Sequence, residues 1–402
     1  MKDLKHLYYF ENLLTGANND LVKKAQEEGK YALGYTCYHM PEVLLNLDNC
    51  FSVRLRAPRT GSMDIATYYM SNALCEYARA LLERALEGGY RFLDALMAVD
   101  ACECMNRSME NMELLDFNDK EHLIISNLDI PFSDDEDCLK HYCEQISRKT
   151  LKPLKETFGT DISDDSIRRA VQQHNEMCRI LNEIGDFRKL DNPTITGYEF
   201  LILTLITYCC PKHLIMNELS ETLEELRTRE PDKKKQFRAK VVIVGSEIDD
   251  PELISLIEES GALVVADRFC YGSVPGREEF ILNDEEPAFE QVCRKYLHDS
   301  LCPRMVSPHK VEQRYTVAEQ LARDYHADGI IYEQMKFCTY WSYERALASH
   351  VMELERGIPT LSIDRPYMSR SSGQLRTRVQ AFVESLEIKK IKAKKQGEVK
   401  LA

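Results

Sequence analysis

Two similar α/β domains, each built on a mostly parallel sheet and joined by a helical region, are what this 402-residue sequence predicts. Three observations carry the prediction. Residues 31–60 read as strand, loop, helix, strand (YALGYTCY, PEVLLNLDN, FSVRLRAP), and residues 240–268 repeat that order (KVVIVGSEI, DPELISLIEESG, ALVVADR). In both halves a later helix leads into a strand that stops at a cysteine, and one more strand follows. Between the repeats, residues 133–220 carry helical periodicity and few strand signals. The expected organisation is an N-terminal α/β domain over 1–132, a helical region and linker over 133–235, and a C-terminal α/β domain over 236–402.

Taken in order, each repeat opens with a short apolar strand, and a Pro-Glu pair starts the next helix: Pro41-Glu42 in the first half, Pro251-Glu252 in the second. Proline is tolerated there because the first helical turn has no partner for its missing N–H, and glutamate meets the positive helix end. The helix CEYARALLERALEGG then precedes the strand FLDALMAVD, and VAEQLARDYHA precedes DGIIYEQM. The closing strands are HLIISNLDIP and GIPTLSIDRP. In the middle region, CLKHYCEQISRKTLKPLKETF and DDSIRRAVQQHNEMCRILNEI are amphipathic, and YEFLILTLITYCC reads as a buried helix. SETLEELRTREPDKKKQFRAK, charged and interrupted by Pro231, reads as a helix running into a linker.

The net charge of −14 argues against nucleic-acid binding, which needs a basic stripe to neutralise phosphates. The basic cluster Lys389 to Lys395 reads as a solvated tail. The start, MKDLKHLYYFENLL, lacks the apolar core of a secretory signal, and Phe200–Cys210 is far short of the roughly 20 residues of a spanning helix. A cytoplasmic protein is expected. Its 14 cysteines are then packed thiols, metal ligands or nucleophiles rather than disulfides.

In open parallel sheets, ligands bind beyond the carboxyl ends of the strands. Cys37, Cys102, Cys270 and Cys338 follow predicted strands, and Cys75 opens a helix facing them. Packing alone does not require that placement. Thiolates converging on one cleft suit a cubane iron–sulfur cluster, and zinc is an alternative. No C-x-x-C run of the ferredoxin kind is present, so spacing leaves the metal open.

The block MKFCTYWSYERALASHVMELERGIPTLSIDRPYMSRSSGQLRTRVQAFVE resembles the C-terminal signature of the 2-hydroxyacyl-CoA dehydratase and benzoyl-CoA reductase family. GYTCYHMPEVLL and CEYARALLERALEGGYRFLDALM resemble its N-terminal signatures, with looser matches at ADRFCYGS and DSLCPRMV. The resemblance implies two flavodoxin- or Rossmann-like domains with a 4Fe-4S cluster between them. It implies Cys37, Cys75, Cys102 and Cys338 as metal ligands, three or four of them binding. Cys104 departs from the family pattern; with Cys270 it makes six thiolates, enough for the 8Fe-9S double cubane of a branch that reduces small molecules without coenzyme A.

The implied chemistry is transfer of low-potential single electrons to an acyl-CoA thioester. The family needs ATP for this, and the chain has neither G-x-x-x-x-G-K-[ST] nor G-x-G-x-x-G after a strand. A separate homodimeric iron–sulfur ATPase is therefore expected as activator, with a second family subunit or another copy of this chain as stable partner. Candidate catalytic residues are Glu333 and Glu344. Candidate substrate contacts are Gln334, Arg345, Arg376 and Arg378, the last two matched to coenzyme A phosphates. Tyr343, His39 and His309 stand beside them, and for each the competing role is a structural contact or a solvated face. A non-catalytic two-domain binding protein is the competing class, because two α/β domains around a cleft is also its plan.

Overall fold

The computed structural model describes residues 3–58, 60–231, 237–273, 277–367 and 372–400. The first sheet holds β1 (Tyr31–Tyr35), β2 (Cys50–Arg54), β3 (Ala95–Asp100) and β4 (Ile124–Asp129) in the order β2-β1-β3-β4. The second holds β5 (Ala239–Gly245), β6 (Ala262–Phe269), β7 (Gly329–Met335) and β8 (Thr360–Arg365) in the order β6-β5-β7-β8. Every pairing is parallel. The two sheets thus share one plan, as the repeat predicts. Parallel strands need both faces covered, which is why β5 and β7 read as near-continuous apolar runs.

Chain order reverses between β1 and β3, and again between β5 and β7. Connections leave these neighbours in opposite directions, so a crevice opens past their carboxyl ends. Gly245 closes β5 because no larger residue fits: a Cβ there would stand 2.5 Å from Glu333 Oε2 and 2.7 Å from the Glu333 carbonyl.

One element differs from expectation. PEVLLNLDN forms only a 3-10 turn over Glu42–Leu45, where the Asn46 side chain caps back onto the Glu42 carbonyl (2.8 Å). In the middle region, Glu136–Ile146 and Lys152–Phe158 flank a π turn at Ser147–Leu151. Pro153 accounts for it: it offers no N–H, and its ring displaces the carbonyl one turn back. The linker expected at Pro231 runs into residues 232–236, and the last signature runs through 368–371; both lie outside the described residues.

The helix Gly197–Cys209 is apolar over most of its surface and buried at every position but Tyr198. A capping box starts it: Thr196 accepts from the Glu199 N–H and Glu199 accepts from the Thr196 N–H. It packs on β2 of the first sheet and β6 of the second. Side chains of both sheets therefore join one continuous core through it. Among the described residues no helix is long and apolar enough to cross a membrane.

A buried polar cluster pins the turn after β1 to the helical region. The Lys212 ammonium bonds Glu42, which also accepts from Ser52 Oγ (2.9 Å) and Asn46 Nδ2 (3.2 Å). His174 Nδ1 stands 3.9 Å from the same carboxylate. Removing one partner of such a pair leaves a buried charge uncompensated. Lys212→Ala is therefore expected to lower stability by about 3–5 kcal/mol in urea denaturation, and Lys212→Met combined with Glu42→Leu to recover most of it. A single-variant loss below about 1 kcal/mol, the range of an exposed pair, would contradict the assignment.

Candidate functional site

The carboxyl ends of the two sheets face each other, and the contacts across them are polar and specific. Arg54, at the end of β2 and 1% exposed, donates to the Cys270 carbonyl at the end of β6 (2.6 Å) and lies 3.6 Å from Glu247 past β5. Its guanidinium covers the Tyr271 ring at 3.9 Å. Arg56 donates to the Asp249 carbonyl (2.6 Å), and Tyr77 and Tyr271 share a hydroxyl contact at 3.2 Å. Tyr367, past β8, donates its hydroxyl to Asp249 (2.7 Å) and its N–H to Glu76 (2.7 Å).

The cysteines stand in this seam. Cys75, Cys102 and Cys338 are the N-cap residues of the helices Glu76–Leu86, Glu103–Leu114 and Thr339–Leu354. A helix N-terminus carries partial positive charge and favours a thiolate. The N–H groups of Ala78, Met105 and Trp341, each at the third helical position, pull the respective thiols down, although none closes a capping hydrogen bond. Burial pulls harder the other way. Desolvation pushes Cys75 and Cys37 up to about 12 and raises Cys338, while Cys102 is raised first by its hydrogen bond with Cys104 and then by burial. Such thiols are neutral unless a cation arrives.

Of the four cysteines that the sequence singles out, Cys75, Cys102 and Cys338 are mutual electrostatic neighbours, and Cys104 adjoins them. Cys37 sits with Cys302, as does Cys270, and Cys338 links this second group to the first. Cys302 escaped the sequence reading because it follows no strand. Its loop, residues 299–307, reaches from the second half onto the first, where Arg304 donates to the carbonyls of Ile130 and Pro131 (2.5 Å each) past β4. Its signal in the chain was the loose family match of DSLCPRMV, which the sequence reading did not turn into a ligand.

Phe337, just before Cys338, has φ +65°. A side chain in this left-handed conformation is strained by roughly 1–2 kcal/mol, a feature concentrated at functional sites. The turn it makes delivers Cys338 to its helix start.

The remaining candidates are placed as follows. Glu333 is fully buried at the end of β7, accepts from the Ser246 N–H and hydroxyl (2.9 Å each), and pairs with Arg365 (2.8 Å). Desolvation raises its pKa, with Arg365 opposing. Its neighbour Glu247 is raised to about 7, again chiefly by burial, and counts Arg54 and Cys270 among its contacts. Gln334 accepts from Arg345 Nε (2.9 Å), and Arg345 reaches on to Ser362 Oγ (2.9 Å). Glu344 is buried against Arg314 (2.9 Å), and the Tyr343 hydroxyl donates to the Pro303 carbonyl in the Cys302 loop. Arg376 pairs with Glu259 (2.7 Å) and Arg378 donates to the Ser362 carbonyl (2.6 Å), both on the surface. His309 is exposed, whereas His39 is fully buried beside Cys37.

The thiols of this region, Cys75 and Cys104 buried and Cys37, Cys102, Cys270, Cys302 and Cys338 half-buried, are soft donors of the kind a cluster uses. Among the described residues no three His, Cys, Asp or Glu side chains stand at metal-holding spacing. The chemistry of the donors fits a cluster.

The chain matches the family of 2-hydroxyglutaryl-CoA dehydratase D-components over residues 37–386. It is 22% identical to the (R)-phenyllactyl-CoA dehydratase beta subunit of Clostridium sporogenes, covering 94% of this chain and 97% of the relative. It is 23% identical to the beta subunit of the (R)-2-hydroxyglutaryl-CoA dehydratase of Acidaminococcus fermentans, covering 91% and 95%. A benzoyl-CoA reductase subunit of Thauera aromatica is 21% identical, covering 80% and 81%.

Cys104 is the exception among these thiols: the hydrogen bond with Cys102 lowers it to about 6 against burial. In chelator-treated protein, the ultraviolet absorbance of thiolate is expected to rise through pH 6 by one cysteine and to lose that step in Cys104→Ser. Cys102→Ala, which removes the donor, is expected to move the step upward by about a unit or more. No step below pH 8 in the unmodified chain would refute the pairing.

Proposed function

The chain belongs to the 2-hydroxyglutaryl-CoA dehydratase D-component family, and from that premise we propose that it is the iron–sulfur subunit of an ATP-activated 2-hydroxyacyl-CoA dehydratase or benzoyl-CoA-reductase-type enzyme. The observation that supports this most is the placement of Cys75, Cys102 and Cys338, each at a helix N-terminus and linked electrostatically to one another, in the seam between two sheets. Cys37 completes the set from the end of β1. A bound cluster supplies low-potential single electrons to an acyl-CoA thioester.

What the chain itself supplies is a dry and charged holder. Three helix ends offset the negative charge of the thiolates. Arg54 and Arg304 add fixed positive charge beside the Cys37 and Cys302 group. Glu333 is the candidate catalytic carboxylate closest to Cys338, and Glu344, locked to Arg314, orients the helix behind it. The relatives are each named as one subunit of an enzyme, so a partner subunit belongs to the proposal, together with a separate homodimeric ATPase as activator.

A second form of the same proposal has a specific observation behind it. With Cys104, Cys270 and Cys302 in the seam, seven thiols are present, more than one cubane uses. An 8Fe-9S double cubane would occupy about six of them.

Iron and acid-labile sulfide per chain, measured after anaerobic purification, decide the matter. About four irons are expected for the single cubane and about eight for the double one. Iron close to zero in protein never exposed to oxygen would refute both. Cys338→Ser is expected to lose most of the iron while the far-ultraviolet circular dichroism stays unchanged. Full iron in that variant would remove Cys338 from the ligand set.

A further inference from the structure

His39 is fully buried and touches three separate segments. Its Nδ1 lies 3.6 Å from Cys37 Sγ, and its Nε2 lies 3.0 Å from Ser300 Oγ, in the loop that crosses from the second half. Its backbone carbonyl accepts from the Tyr142 hydroxyl at 2.6 Å, which fixes the turn. Ser300 is also fully buried, and its oxygen accepts the Cys302 N–H at 3.5 Å.

These contacts hold the ring between two polar partners, one at each nitrogen. An imidazole with one ring proton offers one donor and one acceptor. Ser300 Oγ accepts the Cys302 N–H and keeps its own proton and a second lone pair, so it can serve either ring tautomer. With the Ser300 proton on His39 Nε2, the ring proton sits on Nδ1, facing the Cys37 sulfur.

We propose that His39 is a positioning residue that donates a hydrogen bond to the Cys37 thiolate, its ring locked for that purpose by Ser300 of the crossing loop. The inference rests on the iron–sulfur reading above. Hydrogen bonds to ligand sulfurs are one of the ways a protein tunes a cluster, because they stabilise the more negative, reduced state. The potential at Cys37 is thereby tied to the docking of the Cys302 loop. That loop is held by Arg304 on the first sheet, by Tyr343 on the Pro303 carbonyl, and by Arg314 on the Met305 carbonyl (2.8 Å). Anything that lifts the loop would release the ring.

The test uses the full chain, purified without oxygen, as wild type, Ser300→Ala, His39→Leu and His39→Gln. Iron content is read first, then the midpoint potential by redox titration followed with electron paramagnetic resonance. His39→Leu is expected to lower the ratio of reduced to oxidised cluster about tenfold at fixed poise, equivalent to about 59 mV for one electron. His39→Gln, whose amide donates, is expected to restore most of it, and Ser300→Ala to fall between. Wild-type potentials in both His39→Leu and Ser300→Ala, or a His39→Leu shift that His39→Gln fails to reverse, overturn the proposal. Should His39→Leu not fold, an unshifted Ser300→Ala overturns it alone. Iron missing from the wild type overturns the iron–sulfur reading instead.

Discussion

A single buried arginine holds the molecule at its joint. Arg54 cannot give up its proton, so a fully buried guanidinium must be met by acceptors and ring faces or the fold does not form. Its acceptors come from both halves: the Thr36 carbonyl past β1 (3.3 Å), the Cys270 carbonyl past β6 (2.6 Å) and the Glu247 carboxylate past β5. The rings come from Tyr271 in the second half and from Tyr208 on the buried helix Gly197–Cys209, at 5.5 Å. Both sheets and the helix between them therefore converge on one charge.

That convergence decides where the chemistry lies. With the carboxyl ends of the two sheets locked face to face, the residues just past them share a seam. A thiol there is pushed up by desolvation, and the positive ends of three helices pull it back. Mostly neutral sulfurs beside thiolate-favouring helix ends are the feature on which the proposed cluster rests. Glu333 and Glu344 fit the same picture, since each carboxylate already has an arginine partner. The loop carrying Cys302 closes the seam from outside, and Arg304 and Ser300 anchor it to the opposite half.

Much of this was legible in the chain. The repeated order of strands and helices was visible because parallel strands covered on both faces must be apolar almost throughout, and because glycines and prolines mark their ends. Cys37, Cys102, Cys270 and Cys338 stood out because they follow strands, and Cys75 because it opens a helix facing them. The segment after Cys37 was harder: PEVLLNLDN has helical composition, but it forms one 3-10 turn, with Asn46 bonded back to Glu42 and to Ser52 of β2. Arg376 and Arg378 have the right chemistry for phosphates, yet sequence cannot show that Glu259 and the Ser362 carbonyl already hold them.

The sequence by itself determined the two α/β halves, the buried central helix and the thiols at the strand ends, because hydrophobic period and chain punctuation are local properties. Only the tertiary structure decided that the carboxyl ends of the two sheets meet, that Cys302 and His39 belong to the seam, and that the thiols divide into a Cys75–Cys102–Cys338 group and a Cys37–Cys302 group. Those facts rest on contacts such as Arg54 to Cys270 and His39 to Ser300, which join residues more than 200 positions apart and leave no local trace in the chain.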